Sequence, residues 1–165
     1  MDQYKLAASG VVRLSDGAVI PQDDGNRDWR DYQEWLSAGN IPFPAQTADE
    51  AKAAKWDAIK SERDRRTETG GYHAAGKWFH SDAKSRSQQQ DNEAAGLGMV
   101  PVPWKTMDGS FVDMTPELAI KIRAARMASD RAIFEAAEAH RMEMEACVDP
   151  SGYDFSGGWP PCYGK

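Results

Sequence analysis

The sequence has few of the residues that cross-link a chain or carry chemistry. Its 165 residues include two cysteines, Cys147 and Cys162, and three histidines, His73, His80 and His140. A zinc site needs three or four convergent ligands, and no closely spaced pair of histidines or cysteines occurs. We therefore expect no metal and no other cofactor. The thiols are expected reduced, with a local disulfide that closes the tail as the open alternative.

Long apolar runs and clustered positive charge are also missing. No stretch approaches the roughly 18 apolar residues of a membrane span, and no N-terminal apolar run indicates a signal peptide. The net charge of −6 makes nucleic acid an unexpected partner, since such binding needs clustered basic residues. One basic cluster, Arg63-Asp64-Arg65-Arg66, either complements a helix C-terminus or, alternatively, holds a phosphate.

Catalytic motifs are absent as well. Gly96-Leu97-Gly98 lacks the lysine and the further glycine of a phosphate-binding loop, and no Gly-x-Ser-x-Gly elbow exists. Cys147 and His140 share one face of a predicted helix. They are about 10 Å apart along its axis, which is too far for direct proton transfer. We predict no catalytic residues and a protein that is not an enzyme.

Residues 1–40 are predicted to form a β-meander followed by a helix. Tyr4-Lys5-Leu6, Val11 to Leu14 and Ala18 to Ile20 have strand composition and are separated by turn residues. Asn26 or Asp24 can cap a helix that ends at Gly39. The spacing of its large apolar residues places them on one face: Trp29, Tyr32, Trp35 and Leu36.

A proline-rich linker over residues 41–46 separates this module from the body, which is predicted over residues 47–148. Thr47 and Glu50 form a capping box for a helix that continues to about Glu68. A hairpin from Tyr72 to Phe79 follows, with its turn near Ala75-Gly76. Ser81 or Asp82 then caps a polar helix that ends near Ala95, before the break at Gly96–Met99, and that is either exposed or packed on a partner.

A second aromatic hairpin leads into the longest predicted helix. Trp104 and Phe111 flank Asp108-Gly109, a dipeptide typical of a tight two-residue turn. Thr115 is the predicted N-cap and Pro116 the first helical residue, with Glu117 in the first turn. The helix is expected to continue to about Cys147. The predicted fold is α+β, with short hairpins alternating with helices, a long C-terminal helix and an extended aromatic tail.

This helix carries an alanine-rich seam at alternating four- and three-residue spacing. Packing within the chain and self-association of identical helices are equally open. Residues 149–165 contain seven glycine and proline residues and four aromatic residues, which predicts an extended arm that docks on a neighbouring surface. The predicted interface comprises Leu118, Ile122, Ala125, Ser129, Ala132, Ala136, Tyr153, Phe155 and Trp159.

A series of short sequence motifs, in this order along the chain, resembles bacteriophage proteins. The start of the chain, with Gly10 to Pro21, Asn26 to Trp29 and Trp35 to Asn40, resembles small proteins encoded beside phage tail fibres. The body resembles an uncharacterised domain that recurs in tail fibre and fibre-associated proteins. The segments that carry this second resemblance are Trp56 with Ile59-Lys60 and Arg63-Asp64, Gly76 to Asp82 with Ser85-Arg86, Pro103 to Gly109 with Phe111, Met114-Thr115, Ser129-Asp130, Ala132 to Phe134, and Ala137 to Arg141 with Met144.

The resemblance implies a role in a phage tail without implying any catalytic residue. We expect a structural virion component that self-associates, as a trimer or a multiple of three, and contacts other tail or fibre proteins during host attachment. It would be made in the host bacterial cytoplasm and located in the virion tail. The alternatives are a tail fibre assembly chaperone and, more distantly, an adhesin whose exposed tryptophans bind a glycan. Six tryptophans in the chain suit a core, an interface or that sugar surface.

Overall fold

A computed structural model describes residues 2–96 and 100–164 of the chain. The described residues contain four helices and seven short strands, and the expected α+β fold of hairpins alternating with helices is confirmed. Of the helix break predicted at Gly96–Met99, Gly96 follows the last residue of the third helix with φ of 62°, and residues 97–99 lie outside the described residues. The chain divides into two compact units, Met1–Ala51 and Lys52–Lys165. No described helix combines the length and the apolar character needed to cross a membrane.

The first unit is built on a three-stranded antiparallel sheet. It contains β1 (Tyr4–Ala7), β2 (Gly10–Arg13) and β3 (Val19–Ile20), in that spatial order. Residues of the predicted linker continue this unit, because the backbone of Phe43 exchanges hydrogen bonds with Leu6 and Tyr4 at 2.9 and 2.8 Å. The extended segment that the two prolines favour is therefore held against β1.

Helix α1 (Arg27–Ser37) closes the core of the first unit. Asn26 is its N-cap, since the side-chain oxygen accepts from the backbone N–H groups of Asp28 and Trp29. Gly39 follows the C-terminus with φ of 85°, a conformation that glycine adopts without strain. The helix buries an aromatic cluster against the sheet, composed of Tyr4, Trp29 and Tyr32 with Trp35 and Leu36 at its edge.

The second unit starts within α2 (Ala48–Thr69), whose capping box has the expected geometry. Thr47 N–H donates to the Glu50 carboxylate at 2.8 Å, and Glu50 N–H donates to the Thr47 hydroxyl at 3.2 Å. These two bonds satisfy amides that have no partner inside the helix. The pKa of Glu50 is lowered, chiefly by the Thr47 backbone N–H.

The first hairpin of this unit has a two-residue loop. Strands β4 (Tyr72–Ala74) and β5 (Lys77–Phe79) pair with Tyr72 opposite Phe79 and Ala74 opposite Lys77. The loop residues Ala75 and Gly76 both have positive φ, 50° and 76°. This is the backbone of a type I′ turn, which suits the twist of a hairpin but is costly for alanine.

Replacing Ala75 by asparagine is expected to stabilise the protein by about 0.5–1 kcal/mol, because asparagine tolerates the left-handed region better than alanine. Urea unfolding measures this change as a higher midpoint at an unchanged slope. Gly76→Ala is expected to change stability in the opposite direction, because it places a second alanine at a positive φ. A Cβ there meets nothing within 4 Å, so any destabilisation reports backbone strain alone. A less stable Ala75→Asn protein would contradict the turn assignment.

The second hairpin has a longer loop than the two-residue turn expected at Asp108-Gly109. Strands β6 (Val102–Lys105) and β7 (Phe111–Met114) pair with Lys105 opposite Phe111. Thr106 N–H then donates to Ser110 O at 2.9 Å, and Gly109, with φ of 83°, donates to Thr106 O at 3.0 Å. Three residues, Met107 to Gly109, therefore form the turn, and the glycine occupies its left-handed position.

The Asp108 carboxylate stabilises this loop by hydrogen bonds and also bonds a lysine of the first hairpin. Its carboxylate accepts from Lys77 Nζ at 2.8 Å, from Ser110 N–H at 2.9 Å and from the Thr106 hydroxyl at 2.6 Å. These donors, Lys77 first, hold the pKa of Asp108 well below its ordinary value. A direct bond from Met107 N–H to Trp78 O at 2.9 Å also joins the two hairpins.

Helix α3 (Ala83–Ala95) lies against α4 (Pro116–Ala146) through polar contacts. Asp82 is the N-cap of α3, and its carboxylate accepts from Ser85 N–H at 3.0 Å. Between the helices, Glu93 pairs with Arg123 at 2.7 Å. The polar helix predicted to be exposed or to face a partner is thus packed on its own chain.

Candidate functional site

Helix α4 is the largest element of the second unit, and its inner face carries two hydrophobic clusters. Thr115 is the N-cap, with its hydroxyl accepting from Leu118 N–H at 3.2 Å, and Pro116 is the first helical residue. The N-terminal half covers the hairpins in a cluster of Tyr72, Ala74, Phe79, Met114, Ala119 and Ile122. The C-terminal half covers α2 and the tail in a cluster of Ile59, Ala137 and Met144.

The alanine-rich seam predicted for self-association lies on the inner side of α4. Ile122 has no exposed surface, and Leu118 and Ala125 pack against the hairpin cluster. These three residues therefore have little surface to offer a second copy of this fold. Ser129, Ala132 and Ala136 are half-buried on the same side, and their part in an interface stays a prediction.

The C-terminal tail (residues 149–164) is docked on its own chain, although the sequence predicted an arm for a neighbouring surface. Tyr153, Phe155 and Trp159 pack against the cluster of Ile59, Ala137 and Met144. Tyr163 N–H donates to Gly70 O at 2.9 Å, and Lys55 Nζ donates to Tyr153 O at 3.0 Å. The tail is part of the unit's core because this chain supplies apolar cover and backbone partners for it.

His140 is the centre of the tail's polar contacts. It is 8% exposed, with Nδ1 at 2.8 Å from the Tyr153 hydroxyl and Nε2 at 2.9 Å from Gly157 O. The Tyr153 hydroxyl donates onward to Glu143 at 2.8 Å. Burial and this carboxylate raise the pKa of Tyr153 to about 12. The imidazole also lies within 5.0 Å of the Trp159 ring, centroid to centroid.

Arg66 holds the end of the tail. Its guanidinium donates to Pro160 O at 3.3 Å and to the Cys162 thiol at 3.4 Å, and it lies 5.0 Å from the centroid of the Trp159 ring. Glu62 orients it from one helical turn earlier, at 2.7 Å. The basic cluster at the end of α2 thus contributes a tail anchor, which sequence reasoning missed because the tail partner is 94 residues away.

Glu62 makes this anchor sensitive to acid. Hydrogen bonds from Arg65 and Arg66 lower the pKa of Glu62 to about 2, below an ordinary value of about 4.3. A depressed pKa means that the carboxylate stabilises the fold above the ordinary value. That contribution is lost as the pH falls through the folded-state value. We expect the stability difference between the wild type and Glu62→Gln to shrink steadily from pH 5 to pH 2.5.

Urea unfolding at each pH measures that difference. Asp57→Asn is the matched control, since Asp57 pairs with Lys60 on the exposed side of α2 and touches neither Arg66 nor the tail in the described contacts. A wild-type-minus-variant difference for Glu62→Gln that stays constant with pH would contradict the assigned role of the carboxylate.

The other residues considered for chemistry are not brought together. His73 is exposed, and both nitrogens of His140 are occupied by the tail, so Cys147 has no free imidazole beside it. Within residues 2–96 and 100–164, no group of three or more His, Cys, Asp or Glu side chains could hold a metal ion. Cys147 and Cys162 are both free thiols. All six tryptophans are at least half-buried.

The outer side of α4 carries a row of large apolar side chains in solvent. We call this row the outer stripe, and it consists of Ile120, Met127, Phe134 and Met142, exposed by 57, 62, 54 and 71%. Its first three residues are spaced by seven, so they lie along one line of the helix. The seven-residue spacing is visible in the sequence too, but the alanine-rich seam has the same period, and the predicted interface lies on that seam. The outer stripe is the candidate interaction surface of this unit.

Comparisons with known proteins bear on the second unit. No curated protein and no solved structure matches the chain significantly. A protein-family model described as "Domain of unknown function (DUF4376)" matches residues 50–157, which are more than half of the chain. The match begins at Glu50, the second-last residue of the first unit, and includes both hairpins, α3, α4 and the tail as far as Gly157. The chain therefore belongs to the DUF4376 family.

Proposed function

We propose that this protein is a non-enzymatic structural component of a bacteriophage tail, either a tail fibre or a fibre-attachment protein. It works by contacts with copies of itself and with other tail proteins in the virion. The outer stripe of α4 is the observation that carries this proposal. Large apolar side chains in a row on a helix are favourable in solution only when another surface covers them.

The resemblance to phage tail proteins supplies the biological setting. Residues of the motifs that carry it lie in the elements of the second unit: Trp78 and Phe79 in the first hairpin, Trp104 in the second, and Thr115 at the start of α4. These residues build the hairpins and the helix cap. The resemblance therefore supports a shared scaffold, and the surfaces on that scaffold determine which proteins it contacts.

Mass spectrometry of purified virions, with copy number, tests the proposal. Virions of the phage that encodes the chain are expected to contain it in stoichiometric copies, in multiples of three or six. Absence of the polypeptide from virions would overturn the structural role.

A tail fibre assembly chaperone is the second candidate. The compact first unit favours it, because residues 1–49 lie outside the family match and the N-terminal sequence resembles small proteins encoded beside tail fibres. Ile41, Phe43 and Val19 are exposed on this unit by 87, 50 and 70%, which offers a surface for a client. Absence from virions, together with co-purification of the chain with the fibre from infected cells, would favour this alternative.

A further inference from the structure

We propose that α4 pairs antiparallel with α4 of a second copy of this chain, through the outer stripe. The inference deepens the proposed function, since it rests on the self-association that function includes. Its first support is spacing. Ile120, Met127 and Phe134 recur every seven residues over two heptads, and Met142 extends the line by eight more. A single straight helix can cover such a line along its length.

Charge specifies the direction of that helix. Residues 116–131 contain four basic and two acidic side chains, whereas residues 132–146 contain one basic and four acidic side chains. Parallel copies would place like charge beside like charge at both ends. Antiparallel copies place the basic half of each helix beside the acidic half of the other. The basic residues of the first half are Lys121, Arg123, Arg126 and Arg131, and the acidic residues of the second are Glu135, Glu138, Glu143 and Glu145.

The outer stripe is also self-complementary about its own centre. A two-fold axis between residues 130 and 131 brings Met127 of each copy level with Phe134 of the other. The same axis brings Ile120 level with Arg141, beside Met142. Such an isologous contact uses one surface twice, so every substitution in it counts twice. The assembly it produces has an even number of subunits, which agrees with copies in multiples of six and excludes an odd multiple of three.

The occupant is a second copy because the row of apolar residues and the charges beside it complement themselves under one rotation. A different protein would have to match both the heptad spacing and the reversed charge of this helix. The described inner face of α4 is already covered by the hairpins, α2, α3 and the tail. The outer stripe is thus the apolar surface of the helix left for a partner.

Sedimentation equilibrium of the purified full chain tests the pairing. The wild type is expected to dimerise, and Phe134→Glu is expected to raise the dimer dissociation constant about 100-fold, because two buried anchors are lost. Phe134 is 54% exposed, so the variant keeps its fold, which circular dichroism verifies. Phe111→Glu is the control, since Phe111 is 65% exposed and belongs to β7 of the second hairpin, outside α4.

Cysteine cross-linking tests the direction. Met127→Cys and Phe134→Cys are made separately in a Cys147→Ser background, mixed, and oxidised. Antiparallel pairing is expected to link Met127→Cys to Phe134→Cys and to leave each variant poorly linked to itself. Like residues would be about 10 Å apart along the axis, beyond the reach of a disulfide. The proposal is overturned by any of three results. Each cysteine variant links to itself, the wild type is a monomer at all concentrations, or Phe134→Glu leaves the dimer dissociation constant unchanged. A protein that is present in virions in stoichiometric copies but shows no effect of Phe134→Glu on its self-association would refute this pairing and leave the proposed function intact.

Discussion

Replacing His140 by alanine is expected to release the C-terminal tail and to destabilise the protein by about 2–4 kcal/mol. The imidazole is almost completely buried, bonds both Tyr153 and Gly157, and lies against the rings of Tyr153, Phe155 and Trp159. Alanine removes these bonds and leaves a cavity between the tail and α4. Hydrogen exchange is expected to show residues 150–164 exchanging rapidly while the hairpin strands stay protected.

Two further variants separate the packing contribution of the His140 ring from the contribution of its hydrogen bonds. His140→Phe restores an aromatic ring without nitrogen atoms, so we expect it to recover the packing contribution but not the hydrogen bonds. His73→Phe changes an exposed histidine on β4 and is expected to alter stability by less than about 0.5 kcal/mol. Unchanged protection of the tail in His140→Ala would show that His140 is not its main anchor.

Replacing Phe79 by alanine is expected to cost about 3–5 kcal/mol, the largest effect of any variant considered for this protein. Phe79 has no exposed surface, and it packs among Tyr72, Met114 and Ile122. The cluster draws on both hairpins and on α4, so the cavity left by alanine cannot be closed by the movement of one side chain. Urea unfolding at neutral pH measures the loss as a lower midpoint.

Phe111→Ala is the matched control for Phe79→Ala. Phe111 starts the last strand of the other hairpin, but it is 65% exposed, and we expect a change of less than about 0.5 kcal/mol. Equal losses for the two phenylalanines would mean that the second hairpin is covered in solution by something other than this chain. A loss below about 1 kcal/mol for Phe79→Ala would contradict the position of the hydrophobic cluster.

Local sequence patterns, formed by residues a few positions apart, predicted much of the fold. Thr47 with Glu50, Asn26 and Thr115 each provide a side-chain oxygen next to an unpaired helical amide, and the structure uses each of them as a cap. The apolar spacing of α1 and the strand composition before it likewise led to the right elements. These features depend on neighbouring residues, so they are encoded locally.

The turn at Asp108 shows where local reasoning was incomplete. Asp108-Gly109 is compatible with a two-residue turn, and the dipeptide alone favours one. The observed loop is longer because Thr106 and Ser110 add a further hydrogen-bonded pair around the Asp108 carboxylate, and Lys77 of the first hairpin holds that carboxylate from outside. A contact between residues 31 apart in sequence decided this geometry.

Helix α4 presented two stripes of the same period, and periodicity cannot tell which one faces inward. By itself, the sequence determined the existence of the helices, their caps, the first hairpin turn and the charge difference between the halves of α4. The tertiary structure decided that the alanine-rich seam packs inward and that the outer stripe stays exposed. It also decided that His140 and Arg66 anchor the tail. The physical reason is that inward and outward are properties of long-range packing, and the partners of these side chains lie as many as 96 residues away.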